Sequence, residues 1–355
     1  MTGYDAVVVG AGPAGGVAAL RLARAGVRTL LVEKRAFPRH KDGGGGHAAE
    51  GQGELDRCGA LSVLEGASTV ERLEMRHRAG SVSAHTPTYC VLERSVMDQR
   101  LIDLFLDAGG ACRLGVGARV IDGGVGIGGT EIRARVVLCA DGLAGSSLRD
   151  RPSFGWEIDR AARVGVGCVV DDVEGDARDA ITMCVGDAGY CGVARTSEGR
   201  GVVAAALRTG AVRDAGARES MLGLLEEGGV RARSERDALR GAPGLTRQRT
   251  AFEEDGRVFV VGDASGYVEP FTGEGMSWAL RAGELVFDHA MAALDGSYER
   301  GAWSACVERE RGRSTLGCRA VTAVLRRPVL TGLCARTARL VPGVASAVAR
   351  RVVAA

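Results

Sequence analysis

The chain has 355 residues, of which 46% are hydrophobic, 25% charged and 4% aromatic. These are globular proportions that exclude disorder, collagen and coiled coil, and the length suits two interleaved domains or one large α/β unit. Net charge is only +2, from 46 basic and 44 acidic residues, so no field of one sign points to nucleic acid.

Residues 5–9 (Asp-Ala-Val-Val-Val) predict a buried strand, residues 13–25 a helix, and residues 28–33 a second strand ending at Glu33. Between the first strand and the helix lies a glycine-rich turn, Gly10 to Gly16, so the chain opens on a βαβ unit. Residues 38–53 hold many glycines and read as an extended loop. Residues 96–108 carry a helical stripe stopped by Gly109 and Gly110, and 115–139 read as short strands. Runs at 164–170, 181–185 and 201–207 alternate with glycine turns and predict an antiparallel sheet. A helical stripe lies near Met221 to Leu225, a buried strand at 257–262, and a helix from Met276 to about Leu294. Two or three more helices are expected over 298–350.

The ten cysteines show neither C-x-x-C nor zinc spacing. Several sit in apolar runs, so buried thiols in a reducing cytoplasm are expected. No basic segment with a long apolar core stands at the start, and no run of 18 apolar residues occurs. Neither a targeting segment nor a membrane span is therefore expected.

The first motif is Gly10-Ala11-Gly12-Pro13-Ala14-Gly15. Gly10 permits a tight turn, Gly12 lets backbone approach a pyrophosphate, and Gly15 allows close helix–strand contact. The helix N-terminus stabilises the anion, and Glu33, with Lys34 beside it, can take two ribose hydroxyls. This pattern predicts an adenine dinucleotide but leaves FAD and NAD open. Two later segments decide between them. Cys139-Ala140-Asp141-Gly142 and Val260-Val261-Gly262-Asp263-Ala264 each set an Asp beside Gly at the end of an apolar run. Asp263 can accept hydrogen bonds from a ribityl chain, and the N–H groups around Gly275 and Met276 open a helix toward an electron-rich ring.

In order and spacing, these segments resemble the family of FAD-dependent monooxygenases, flavin halogenases and geranylgeranyl reductases. The resemblance implies an α/β fold, with a Rossmann-like FAD domain (1–80, 91–150, 250–300), an inserted antiparallel substrate sheet (81–90, 151–249) and C-terminal helices (301–355). It also implies that Asp141 and Gly142 support the pyrophosphate side, Gly262 and Asp263 the ribityl chain, and Val120 the adenine. Arg94 fits the family's R-x-x-x-D-x-x-L pattern with Asp98 and Leu101 and is expected near the flavin. Residues 269–280, including Pro270, Gly273 and Glu274, look like the reductase-type P-x-x-G-E-G-I/M. Lys41 with Gly43, Gly44 and Gly45 looks like that branch's K-x-C-G-G loop, with Gly43 where Cys stands. Tyr190 is all that remains of Y-x-W-x-F-P.

The catalytic candidates are Lys41, Tyr190 and Glu274. Lys41 is a lone ammonium of the kind a halogenase needs, or a phosphate or loop contact. Tyr190 and Trp278 are candidates for lining a substrate pocket. His40 and His47 bracket the glycine loop as acid–base candidates, and His289 reads as structural. With one dinucleotide fingerprint and no metal-ligand cluster, NAD(P)H is expected only as a transient donor, with a separate flavin reductase as the alternative. The leading expectation is monooxygenation of a bulky apolar small molecule in secondary metabolism, through a flavin C4a-hydroperoxide in a pocket that excludes water. Isoprenoid double-bond reduction, halogenation and flavin or lipid binding without turnover are the alternatives. The basic, apolar stretch from Arg326 to Arg351 is expected to pack as amphipathic helices, with contact to a membrane surface as the other reading.

Overall fold

The computed structural model describes residues 3–39, 45–78, 80–233, 239–242, 244–269 and 275–312. The opening unit is β1 (Tyr4–Val9), α1 (Pro13–Arg24) and β2 (Thr29–Glu33). β1 and β2 pair in parallel, with Val7 beside Leu30 and Val9 beside Val32. Ala6 and Val8 pack with the helices, whereas Val7 and Val9 pack with a small antiparallel sheet on the other face. Cover on both faces explains why the strand is an unbroken apolar run.

The stretch read as loop to residue 53 instead forms β3 (Gly46–His47) and then α2 (Ala49–Arg57). Two glycines and four charged residues hide this helix from a periodicity argument. Gly51 is nevertheless suited to its place, because a Cβ there would lie 3.0 Å from Ser277 Oγ. β4 (Ser68–His77) and β5 (Gly80–Val91) pair antiparallel. Both strands belong to the second sheet, so that sheet begins before residue 81, where the sequence placed its start.

α3 (Arg94–Asp107) leads into β6 (Ala111–Leu114), which pairs in parallel with β2. β7 (Ala118–Ile121), β8 (Gly124–Ile127) and β9 (Thr130–Cys139) form a meander, and the end of β9 runs parallel to β1. Short β10 (Trp156–Ile158) follows.

The second sheet takes β11 (Val164–Val170), β13 (Ile181–Gly186), β14 (Gly189–Arg195) and β15 (Gly201–Leu207), with short β12 (Asp172–Glu174) beside it. β14 was not expected as a strand, because Gly189 and Gly192 interrupt its apolar pattern. α4 (Thr209–Ala215) and α5 (Ala217–Glu227) come next, then β16 (Arg231–Arg233) on β12 and β17 (Arg240–Ala242) on β11. The sheet order is β17-β11-β15-β14-β13-β4-β5-β3. It is antiparallel except where β13 runs parallel to β4, with Met183 beside Met75. Along β14 the side chains alternate. Cys191 and Val193 pack with α5, while Tyr190 faces Met183 and Leu245 on the opposite side.

The chain returns through β18 (Arg247–Arg249), β19 (Glu253–Glu254), β20 (Val258–Val260) and β21 (Gly266–Tyr267) to the long α6 (Gly275–Asp295). The first sheet's main order is β19-β20-β9-β1-β2-β6. Residues 302–312 are helical, and Trp303 Nε1 donates to the Val260 carbonyl at 3.0 Å. The basic C-terminal stretch lies outside the described residues. Among those residues, no helix is long and apolar enough to cross a membrane.

Candidate nucleotide site and adjoining chamber

The turn after β1 is built so that only glycine fits at two positions. Gly10 has φ +105°, and a Cβ on it would lie 2.4 Å from the Ala140 carbonyl oxygen. On Gly15, a Cβ would lie 1.9 Å from the Gly10 carbonyl oxygen. Backbone on both sides leaves nothing that can move aside. Pro13 starts α1, no side chain caps its N-terminus, and its first turn holds no acidic residue. The end of the helix dipole therefore faces the open space beside Gly12. A Cβ on Gly12 would stand 3.5 Å from Arg39 Nη2 and 3.8 Å from Arg94 Nη2. Uncapped N–H groups and two guanidinium groups converge on one point, which is the chemistry a pyrophosphate requires.

Those guanidinium groups belong to a buried network. Arg39 Nη1 donates to Glu33 Oε2 at 3.0 Å, and its Nη2 donates to Asp98 Oδ2 and to the Ala11 carbonyl, both at 2.9 Å. Arg94 donates to Asp98 through Nε at 3.1 Å and Nη2 at 2.9 Å, and its Nη1 contacts Met276 Sδ at 3.2 Å. Two carboxylates thus balance two guanidinium groups with almost no exposure. Glu33 also accepts the Ala11 N–H on Oε2 and the Arg35 N–H on Oε1, each at 3.0 Å. A carboxylate offers about four lone-pair sites. Three are filled, so the geometry leaves room for one ribose hydroxyl rather than the two that the sequence suggested. Arg39 escaped the sequence reading. The signal available was a charge directly after Pro38 in the loop that follows Glu33.

Asp141 follows β9 and accepts the Ser147 N–H on Oδ2 at 2.8 Å, while its Oδ1 is buried without a partner among the described residues. Burial raises its carboxyl above the usual carboxylate range, opposed by the Ser147 hydrogen bonds. Gly142 begins a short 3-10 turn. Gly262 has φ +63°, and a Cβ there would lie 2.8 Å from Ala14 Cβ, so this loop packs directly on the start of α1. Arg249 ties the two Asp loops together. Its Nη2 donates to the Gly145 carbonyl at 3.0 Å, its Nε to the Ala264 carbonyl at 3.2 Å, and its Nη1 to the Phe154 carbonyl. Its guanidinium stacks 3.9 Å from the Trp156 ring centre.

These segments border a cavity of about 470 Å³. It runs from Gly12, Glu33 and Lys34, past Arg94, Asp141 and Asp263, to Met183, Tyr190 and Ala204 on the second sheet. The far wall is furnished mainly by small and aliphatic residues of β11, β13, β14, β15 and β17, with Tyr190 on β14 and Arg240 on β17. Tyr190 is buried near Glu269, whose carboxylate accepts from Arg163 Nη1 at 2.8 Å. Burial and the Glu269 charge push the Tyr190 hydroxyl well above its ordinary value. Arg163 and Glu269 were not singled out from sequence, although Glu269 is a charge set directly before a motif proline.

The structure brings Gly10, Gly12, Pro13, Glu33, Lys34, Gly45, Arg94, Asp141, Asp263, Gly275, Met276 and Tyr190 to the cavity wall. Ala14, Gly15, Gly142 and Gly262 stand behind it in the supporting turns. Val120 packs with Val125 and Ile127, and Ala118, earlier on the same strand, is the residue at the cavity. Trp278 packs with the helices rather than at the cavity. His47, on β3, is fully buried near the Arg94–Asp98 pair, and its pKa is lowered to about 4 by burial and then by the Arg94 charge. His289 meets the rings of Tyr298 and Trp303 edge-on, as a structural residue would. Lys41, Gly44, Glu274, Pro270, Gly273 and His40 lie outside the described residues.

The residues present fit FAD. The glycine cradle, the uncapped helix N-terminus, the buried Glu33 and the unpartnered Asp141 Oδ1 line one elongated path. Gly10 to Gly15 and Glu33 would hold its ADP half, and Asp141, Asp263 and Gly275 its flavin half. Comparison with known proteins agrees with this reading. Residues 3–59 match the FAD binding domain family. The chain is 30% identical over 322 residues to digeranylgeranylglycerophospholipid reductase 1 of Methanopyrus kandleri, covering 82% of this chain and 81% of that one. In fold it is similar to the flavin-dependent brominase Bmp2, with a TM-score of 0.79 at 16% identity, over 99% of this chain and 93% of that one. It is also similar to a geranylgeranyl bacteriochlorophyll reductase-like protein from Thermoplasma acidophilum, with a TM-score of 0.73 at 20% identity, over 92% and 88% of the two chains. The chain therefore belongs to the family of FAD-dependent oxidoreductases that comprises the flavin monooxygenases, flavin halogenases and geranylgeranyl reductases.

Proposed function

We propose that this FAD-dependent oxidoreductase saturates a carbon–carbon double bond in a bulky apolar molecule of isoprenoid type. The observation that carries the reading is the largely apolar chamber, which continues directly from the nucleotide cradle into a sheet wall made mainly of Gly, Ala, Val, Leu, Ile and Met, with Thr86, Tyr89, Tyr190 and Arg240 set among them. Similarity over four-fifths of the chain to a reductase of a geranylgeranyl lipid supports it. When bound, FAD supplies two-electron redox chemistry, with reduced nicotinamide as the expected donor. The chain's own contribution is placement and dryness. The glycine turn and Glu33 fix one end of the cofactor, Arg94 and the start of α6 border its other half, and the aliphatic wall keeps water from the reacting carbons.

Oxygenation is the second reading. It is favoured by Gly43 standing where the reductase loop has Cys, and by the loss of all but Tyr190 from the Y-x-W-x-F-P motif. The test separates the two. FAD-loaded protein reduced with dithionite under nitrogen is given a geranylgeranyl lipid, and the product mass is measured. Two added hydrogens per double bond support reduction. No anaerobic product, with one ¹⁸O gained under ¹⁸O₂ and NAD(P)H, overturns it in favour of oxygenation.

A further inference from the structure

Asp141 and Asp263 border the cavity from two loops that lie far apart in the chain, and one side chain bridges those loops. Arg249 is on β18, the middle strand of a small sheet ordered β10-β18-β21. Its backbone N–H donates to the Ser265 carbonyl at 2.9 Å. Its guanidinium donates through Nε to the Ala264 carbonyl at 3.2 Å and through Nη2 to the Gly145 carbonyl at 3.0 Å. Nη1 donates to the Phe154 carbonyl, just before β10. The nitrogens of one guanidinium thus hold three backbone segments, and the residue is only 4% exposed.

The fit is close on every side. A Cβ on Gly145 would lie 1.8 Å from Arg249 Nη2 and 3.2 Å from Trp156 Cζ2, so the guanidinium fills the space a side chain would take. Trp156 stands opposite Arg249 in the pairing of β10 with β18, and its ring centre lies 3.9 Å from the guanidinium. A lysine ammonium has neither the planar fork for three carbonyls nor a flat face for the indole. The Arg249 charge also favours the ionised form of Asp141. At the other end of the cavity, Glu33 is held by Ala11, Arg35 and Arg39 instead. The two ends are therefore braced by separate sets of residues.

We propose that Arg249, backed by Trp156, is a positioning residue for the flavin half of FAD. It sets the spacing of the Asp141 and Asp263 loops and leaves the ADP half to the glycine turn and Glu33. This rests on the assignment of FAD to the cavity and is independent of the reaction catalysed.

The test compares two ligands on one protein. FAD-free protein is titrated with FAD, followed by flavin fluorescence, and with ADP, followed by calorimetry. In Arg249→Met, FAD affinity is expected to fall at least about tenfold, the scale of a lost hydrogen bond from a charged donor, while ADP affinity stays within about twofold. Trp156→Leu keeps the four hydrogen bonds and removes the stacked ring. Trp156 is half-buried, so this variant carries the test where Arg249→Met does not fold. It is expected to lose about fivefold in FAD affinity, with ADP again within about twofold. Equal losses for both ligands overturn the proposal, because a general loosening of the fold weakens both halves of the site alike. Unchanged FAD affinity in these variants overturns it too. Failure of ADP to bind the unaltered protein overturns the cavity assignment itself, and the proposal with it.

Discussion

Replacing Arg39 by Met tests the buried charge network most directly. Arg39, 8% exposed, donates to Glu33, Asp98 and the Ala11 carbonyl, so its loss leaves two buried carboxylates facing one remaining guanidinium. Removing one partner of a buried ion pair costs about 3–5 kcal/mol. The lower figure applies here, because Glu33 keeps two backbone N–H donors and Asp98 keeps both bonds from Arg94. We therefore expect the urea midpoint of the FAD-free protein to fall by the equivalent of about 3 kcal/mol. Glu33→Gln lifts one stranded charge, so the double variant should be less destabilised than the sum of the singles, by about 1 kcal/mol or more. FAD affinity should fall in parallel, because a cation beside Gly12 has gone. A loss below about 1 kcal/mol with strictly additive double-variant behaviour would refute the idea that these four side chains act as one balanced unit.

Two further outcomes follow from the same geometry. Gly15→Ala places a methyl 1.9 Å from the Gly10 carbonyl oxygen, so the variant should purify without flavin colour, whereas Gly12→Ala, with no heavy atom nearer than 3.5 Å, should stay folded and bind FAD more weakly in a fluorescence titration. His47, with a folded pKa of about 4 against 6.5 for the free side chain, is neutral when buried and takes up a proton on unfolding in between. Its contribution is therefore whole above about pH 6.5 and declines by about 3 kcal/mol as the pH falls toward 4, so urea midpoints at pH 7 and 4.5 should differ less in His47→Leu than in the unaltered protein.

The elements legible in the sequence are those whose pattern is set by burial on both faces or by a turn that only glycine permits. β1, α1, β2 and the long helix near Met276 are of this kind. The inserted sheet was legible as a sheet, through β11, β13 and β15. β14 was not, because its two glycines break the apolar rhythm, and α2 was concealed by its polar composition. The parallel pairing of β13 with β4 joins residues more than a hundred positions apart, and no local pattern encodes that. At the site, the glycine motifs and Glu33 stand out because their spacing is fixed by a strand–turn–helix. Arg39, Arg163, Arg249 and Glu269 do not stand out, because each meets its partners only once distant segments have packed, and an arginine in an arginine-rich chain carries no mark of its own.

The chamber's sheet wall has a last consequence. Gly192, Ala194, Ala204 and Ala206 stand on two neighbouring strands whose backbone pairing does not depend on what they carry. On the proposed reading of the chamber as the substrate's place, each methyl or ring added there would reshape the guest's outline and leave the nucleotide cradle as it was. Choice of guest and hold on the cofactor would then be housed in separate layers, so one scaffold could be refitted to a new molecule by changing upholstery alone.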